Sequence, residues 1–396
     1  MICYICLMIR KIVIASDSFK GSLTSQEVAE AAAAGVRRAL PDCEAVGICI
    51  GDGGEGTAEA MAAAGGWKRR AVTVQDPLGR PTEAGYFISD EGMALMEMAS
   101  ASGLTLLKAE ERNPLLTSTY GTGEMMLDAI RNGCTSITIG IGGSATNDGG
   151  TGMLEALGFR FLDSEGKPIR GLCGGRLAEI ASIDPSDADP GIMKVNIIVA
   201  CDVDSPFCGA EGSTHVFAAQ KGADAEATDI LESGMQSLCD VIMQMTGTDL
   251  SRTAGAGAAG GLGGAMTAFL NARLTRGTDA VLDATGFDDK IRDAGLIITG
   301  EGRIDSQTCR GKAVSGVLER ARKHGIPVIA IAGIVEMTDD EIRQSGFTAV
   351  CPIGPRPQNE SDLEHAMLPE VAKRRISETV AKVLESLSPS LCRESL

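Results

Sequence analysis

Lys11-Ile12-Val13-Ile14-Ala15 is a strand-like run, unbroken and apolar from Ile12 on, without the polar alternation of a strand that keeps one wet face. Such a strand must be covered on both sides, and a parallel sheet flanked by helices does this. The run stops at Ser16-Asp17-Ser18-Phe19-Lys20-Gly21-Ser22. Thr24 and Glu27 then form a capping box that opens a helix through Val28, Ala32, Val36 and Leu40. A second strand, Ala45 to Ile50, runs into Gly51-Asp52-Gly53-Gly54-Glu55-Gly56 and an alanine-rich helix from Thr57. Two successive strands that end in loops rich in Gly, Asp and Ser and then turn helical spell the βαβ grammar of a doubly wound sheet. Its ligands sit at the carboxyl ends of the strands.

From Asp76-Pro77-Leu78-Gly79-Arg80-Pro81 the texture changes. Shorter strand-like runs follow (Ala84 to Ile88, Ala94 to Met98), then a helical stretch from Tyr120 to Arg131, a strand from Val195 to Asp204 and a helix from Ala225 to Met245. Near residue 290 the earlier grammar returns. Leu296-Ile297-Ile298-Thr299 ends in Gly300-Glu301-Gly302-Arg303-Ile304-Asp305, and a helix covers Lys312 to Lys323. Strands at Pro327 to Ile331 and Thr348 to Pro352 follow, and an amphipathic helix runs from about Glu370 to Leu387. At 396 residues the chain exceeds what one core usually supports. It reads as α/β with two domains. One is a Rossmann- or flavodoxin-like parallel-sheet domain made of both chain ends, residues 1–80 plus 288–396; the other is an inserted α/β domain, residues 81–287.

A net charge of −17 argues against nucleic acid or an anionic membrane as partner, since both need a positive face. No apolar run approaches the ~20 residues of a membrane span. The twelve cysteines are scattered, many within apolar runs, which favours reduced thiols and a cytoplasmic location. Cys3-x-x-Cys6 has metal-ligand spacing but no second pair at zinc-finger distance.

The densest polar loop is Gly140 to Met153, GIGGSATNDGGTGM, between the strand-like Ile137-Thr138-Ile139 and an apolar helical run. A strand, a glycine loop and a helix N-terminus together present backbone N–H groups to an anion. Asn147 and Asp148 add a pair able to reach a metal or a hydroxyl. A second cluster, Ala254 to Gly264, contains a formal G-x-G-x-x-G at Gly255, Gly257 and Gly260. No apolar strand precedes it, so it is either a tightly packed helix start or another phosphate contact. Carboxylates recur at the strand ends: Asp17, Asp52 with Glu55, Asp202 with Asp204, and Glu301 with Asp305. Lys20 stands beside the first of them, and Arg80 and Arg303 are further cations for phosphate or carboxylate. Glycine backbones around phosphates, with dispersed acids for Mg²⁺ or for a hydroxyl proton, are what phosphoryl transfer requires. Three histidines without a G-x-S-x-G elbow speak against a serine hydrolase, and Walker A is absent because Ala313 follows Gly311-Lys312.

KIVIASDSFKGSLTSQEVAEA, GDGGEGTAEAM, DPLGRP, ERNPLLTSTYGTGE, IGIGGSATNDGGTGMLEALGFRFLD, ACDVDSP, FAAQKGA, GAGAAGGLGG and ITGEGRIDSQT together resemble the bacterial type-1 glycerate kinases, from about Arg10 to about Ile353. The resemblance implies ATP-dependent phosphorylation of D-glycerate, with 2-phosphoglycerate the usual product, in glyoxylate, glucarate or galactarate breakdown. It also implies two α/β domains facing each other across a cleft. On that basis Asp202 or Asp52 is the base, while Glu301, Asp305 and Asp148 take Mg²⁺; these roles are interchangeable. Lys20 neutralises the transferring group, Asp17 and Ser18 meet the substrate, and Arg80 or Arg303 clamps its carboxylate. The phosphates of ATP lie along Gly142, Gly143, Ser144, Asn147, Gly257 and Gly260. A homodimer is a further expectation. Ser16 stands where the family usually has Pro, and Ile334-Val335-Glu336 and the stretch from Cys351 to Pro357 fit the family less well. Two rivals are a non-catalytic binder of small organic acids and a dinucleotide enzyme built on Gly140-x-Gly142-x-x-Ala145.

Overall fold

The structure, a computed structural model, describes residues 9–50, 58, 62, 66–305, 308 and 313–387. Cys3, Cys6, Asp52 and Glu55 lie outside the described residues. The chain divides into two compact units. One comprises Met1–Asp52, Glu59–Gly65 and Val281–Leu396, the other Gly53–Ala58 and Gly66–Ala280.

The first unit is built on a five-stranded parallel sheet. With strands numbered in chain order over the whole protein, it holds β1 (Lys11–Ser16), β2 (Glu44–Cys49), β12 (Leu296–Ile304), β13 (Val328–Val335) and β14 (Ala349–Pro352), in the spatial order β14-β13-β12-β1-β2. Ile12 through Ser16 are all buried, as a strand covered on both faces requires. Counted within the unit alone, the order is 2-1-3-4-5, the flavodoxin-like arrangement, and its direction of winding reverses between β1 and β12. Pairing of these two strands ends at Ser16 opposite Gly300, whereas β12 continues beside β13 as far as Ile304 opposite Val335. The last residues of β12 therefore extend past the point at which β1 leaves the sheet.

The helix Ser25–Ala39 starts at the expected Thr24–Glu27 capping box. It crosses the helix Pro369–Leu387 at Gly35, where a Cβ would stand 2.5 Å from the Ser377 carbonyl oxygen and 2.8 Å from Val380 Cβ. A further short helix, Glu360–Met367, has no buried residue, and no periodic signal marks it in the sequence.

The second unit carries a six-stranded sheet of β3 (Trp67–Gln75), β4 (Pro81–Ser89), β5 (Met93–Glu97), β6 (Ser136–Gly140), β10 (Asn196–Ala200) and β11 (Arg273–Thr275), in the order β11-β10-β6-β5-β4-β3. The four strands from β11 to β5 are parallel, and β4 and β3 are added antiparallel. β7 (Arg160–Leu162), β8 (Pro168–Ile169) and β9 (Ser182–Asp184) form a small antiparallel sheet. The domain limit expected at residue 80 falls within the turn of the β3–β4 hairpin, so β3 joins this unit. Its Lys68, Arg69 and Arg70 are exposed, as on an edge strand protected by charge, and that hid it from a search for apolar runs. No helix among the described residues is long and apolar enough to cross a membrane. All the described cysteines are free.

Because Gly35 sets how closely the two helices approach, Gly35→Ala forces them apart and should cost about 1–3 kcal/mol. A thermal midpoint lowered by several degrees is the expected outcome of a melting experiment; an unchanged midpoint would show that the helices yield freely.

Candidate active site

A cavity of about 400 Å³ opens in the first unit at the carboxyl ends of β1 and β12, where the winding reverses. Strand ends diverge at such a point, and the crevice left between them is where open α/β sheets bind ligands. Its polar lining is Asp17, Ser18, Lys20, Ser22, Glu301, Arg303 and Arg375, and its apolar wall includes Ile334, Ile353, Pro355, Leu363 and Met367.

Backbone bonds fix both lips. The Asp17 N–H and the Ser16 hydroxyl both donate to the Gly300 carbonyl at 2.9 Å. A proline at position 16 has no hydroxyl, so Ser16 supplies a tie between β1 and β12 that the usual family residue lacks. Ser25 Oγ donates to the Ser16 carbonyl at 2.5 Å and accepts from the Ile50 N–H at 3.2 Å, joining the ends of β1 and β2. Asp17 Oδ1 accepts from the Ser18 N–H at 2.6 Å and turns the chain into the cavity wall. Ser22 Oγ donates to the Met367 carbonyl at 2.7 Å, holding the loop against the helix Glu360–Met367. Gly302 passes beside Phe19 and Lys20: a Cβ on it would lie 3.7 Å from the Lys20 nitrogen.

Five expected residues thus meet in one cavity: Asp17, Ser18, Lys20, Glu301 and Arg303. Arg303 lies 3.7 Å from Glu336, which also engages Arg356 at 3.2 Å. Arg375, half-buried on the helix Pro369–Leu387, has no ion pair among the described residues and went unnoticed in the sequence. Its signal was slight, a second arginine beside Arg374 on a helix that reads as ordinary packing. The stretch from Cys351 to Pro357, which departs from the family pattern, forms part of the wall. Three cations against two carboxylates give the cavity a net positive lining within an acidic protein, suited to an anionic ligand.

The loop Gly140 to Met153 belongs to the second unit and is mostly interior. Gly142 and Gly143 are exposed and Ser144 is half-buried, whereas Thr146, Asn147 and Asp148 are fully buried. Asp148 accepts hydrogen bonds from the Thr119 N–H at 2.7 Å and hydroxyl at 2.8 Å, and from the Gly150 and Gly152 N–H groups, each at 3.2 Å. Three of these bonds fall on Oδ2 and one on Oδ1, and the carboxyl, fully buried, braces the loop from within. N–H groups at the helix start after the loop are taken by the Asp148 carboxyl itself. Thr119 Oγ1 takes the remaining first-turn N–H, that of Met153, at 2.9 Å. Asn147 donates to Thr214 Oγ1 at 3.2 Å and faces the interior rather than a nucleotide.

Gly257 and Gly260 serve close packing, the first of the two alternatives considered for their cluster. A Cβ on Gly257 would collide with the Pro206 carbonyl, and one on Gly260, at φ +71°, with that of Thr146. Beneath the loop, the buried Lys221 donates to the Thr146 carbonyl at 2.6 Å. Burial lowers its pKa to about 7 against the pull of Asp148, and burial raises the pKa of Asp148 against its hydrogen-bond donors. Neither Thr119 nor Lys221 was singled out in the sequence, although both lie in motifs that carry the family resemblance.

Other expected residues are not among those that line the cavity. Arg80 belongs to the second unit, where it bonds Asp76 and Glu111, each at 2.6 Å, and closes the β3–β4 turn. Asp305 holds a turn with Thr308 through bonds of 3.0 Å in both directions and does not line the cavity. Asp202 is exposed beyond β10, with Oδ1 accepting from the Gly277 N–H at 2.7 Å.

The model of a family described as the glycerate kinase family matches residues 12–388. The chain belongs to the glycerate kinase family. It is 46% identical over 346 residues to a glycerate kinase of Halalkalibacterium halodurans, covering 87% of this chain and 91% of that one. Against the glycerate 2-kinase of Escherichia coli K12 it is 46% identical over 343 residues, 86% and 89% of the two chains. A crystal structure of a Salmonella typhimurium LT2 protein assigned as glycerate kinase 2 matches with a TM-score of 0.85 and 41% identity, over 97% of this chain and 100% of the other. The protein is therefore a kinase by family, and its mixed α/β fold with parallel sheets is that of a solved relative.

Lys221 gives this family member a pH signature. Between about pH 7 and pH 10.5 the unfolded chain carries a proton on this lysine that the folded one does not, so stability rises with pH across that window. Lys221→Met removes the term. The difference in melting midpoint between wild type and variant should grow in favour of wild type from pH 7 to pH 9.5; a constant difference would exclude a lysine held neutral by burial.

Proposed function

We propose that the protein transfers the terminal phosphoryl group of ATP to the 2-hydroxyl of D-glycerate, with Mg²⁺, in cytoplasmic organic acid breakdown of the glyoxylate, glucarate or galactarate type. The observation that carries this is the meeting of Asp17, Lys20, Glu301, Arg303 and Arg375 in one apolar-walled cavity at the point where the winding reverses, within a chain of this family. Relatives of near-equal length that carry the names glycerate kinase and glycerate 2-kinase support the substrate and the position.

Glycerate offers a carboxylate and two hydroxyls. Arg375, which has no ion pair among the described residues, is placed to hold the carboxylate, with Arg303 beside it. Lys20 meets the charge that develops on the phosphoryl oxygens, where a preorganised cation lowers the barrier most. Among the described residues no group of three or more His, Cys, Asp or Glu gathers as a metal cage. In phosphoryl transfer Mg²⁺ takes one or two carboxylates and completes its shell with phosphate and water. Asp17 and Glu301 are the carboxylates in the cavity able to hold it. Bound there, Mg²⁺ supplies charge neutralisation at the phosphate oxygens. Asp202 and Asp52 stay as alternatives for the base that takes the hydroxyl proton. Gly142, Gly143 and Ser144, the accessible tip of their loop, stay as the candidates for nucleotide phosphates.

NMR of the product made from D-glycerate and ATP is the direct test, with 2-phosphoglycerate expected. The 3-phosphate would overturn the position, and ligand binding without ADP release would favour the non-catalytic binder.

Lys20→Ala should lower kcat by about 10²–10³-fold with an unchanged melting midpoint. Arg375→Ala should instead raise KM for glycerate by roughly tenfold or more, as loss of a charge-assisted clamp does. If Lys20→Ala turns over normally, or Arg375→Ala leaves KM unchanged, the corresponding role is refuted.

A further inference from the structure

A second cavity, of about 480 Å³, lies in the first unit between the end of β14 and the helix Pro369–Leu387. The helix lines it with two adjacent rows at i, i+4 spacing: Arg374, Glu378 and Lys382 in one, Arg375, Thr379 and Val383 in the other. Arg374 and Lys382 are each four residues from Glu378, a spacing that ordinarily makes ion pairs on a helix. Yet neither they nor Arg375 form an ion pair or a hydrogen bond among the described residues. Their neighbour Lys373, which does not line the cavity, is paired with Glu27 at 2.8 Å. Three cations against one acid therefore face an open space in a protein of net charge −17. The opposite wall adds Gly354, where a Cβ would stand 3.0 Å from Arg375 Cδ; the absence of a side chain leaves the guanidinium its room. Arg375 also lines the first cavity, so one guanidinium stands between two anion-attracting spaces.

We propose that the second cavity binds a small phosphate-bearing anion, and that its occupant draws Arg375 away from glycerate. Arg374 and Lys382 supply the charge particular to this site, Thr379 a hydroxyl for a phosphate oxygen, and Arg375 the link. One charged group cannot serve two carboxylate or phosphate ligands fully at once, so occupancy of the two cavities is antagonistic by thermodynamic reciprocity. The linkage rests on the assignment of glycerate to the first cavity; binding at the second does not.

The test compares wild type with the double variant Arg374→Ala/Lys382→Ala, neither residue lining the first cavity. Inorganic phosphate and 3-phosphoglycerate serve as probes, in calorimetric titrations and in steady-state kinetics with glycerate. The variant should bind the probes at least tenfold more weakly, while its kcat and its KM for glycerate without probe stay within twofold of wild type. In wild type the probes should raise KM for glycerate, and in the variant this rise should largely vanish. Equal affinity for both probes identifies phosphate alone as the recognised group; tighter 3-phosphoglycerate shows that the ester's carboxylate takes part. The site is overturned if the variant binds like wild type, if wild type shows no saturable binding, or if sodium chloride at matched ionic strength reproduces the effect. A protein that does not phosphorylate glycerate at all would still show or lack the binding contrast, so the two proposals fail separately.

Discussion

The candidate site depends on the pairing of β1 with β12. Ser16 Oγ and the Gly300 carbonyl meet across 284 residues of chain, and the Asp17 N–H joins the same oxygen. The pairing stops there, because β1 must turn towards β2 while β12 stays in register with β13 for four more positions. The polar groups that line the cavity thus fall on two lips of one crevice rather than along a continuous strand. No local element creates the cavity: Asp17 to Ser22 come from one end of the chain, Glu301 to Arg303 and Arg375 from the other.

In the second unit a buried carboxylate plays the organising part. A glycine loop that enters a helix has several N–H groups pointing one way, and water or an anion must satisfy them. Here Asp148 does so from within and binds Thr119 as well, so the loop is braced from below while Gly142 and Gly143 remain accessible. Burial of an acid is costly unless donors surround it, and four donors reach the Asp148 carboxyl, three of them at Oδ2. Lys221 under the same loop, bonded to a carbonyl rather than to a carboxylate, adds a second buried charge site whose proton is loosely held.

The parallel core was legible in the sequence because its signals are local. An unbroken β-branched run, a capping box at Thr24 and glycine-acid loops after successive strands each report a neighbourhood of a few residues. Asp17, Ser18, Lys20, Glu301 and Arg303 could be chosen for the same reason, since position after a strand is itself the cue. Edge strand β3 was not legible, because three consecutive basic residues mask its pattern. Arg375, facing the cavity from the helix Pro369–Leu387, was not either, since a cation facing a cavity and one facing solvent look alike in sequence. Asn147, Asp148, Gly257 and Gly260 mark the opposite limit. Their composition is that of a phosphate loop, and only tertiary packing shows that the polar groups and the close approaches are turned inward.

Electrostatics then explains why the cations are gathered rather than numerous. A chain of net charge −17 repels anionic substrates at long range, but mobile ions screen charges beyond about 8–10 Å. What a small anion experiences at the cavity is the local set. Helices that follow parallel strands also begin at the carboxyl end of the sheet, as Ser25–Ala39 does after β1, so their positive dipole ends add to Lys20, Arg303 and Arg375. The same helix that braces Gly35 delivers Arg375, so the packing that sets the distance between the two helices also sets the position of the guanidinium. A substitution at that crossing would therefore reach the cavity through geometry, without altering a single charge in it.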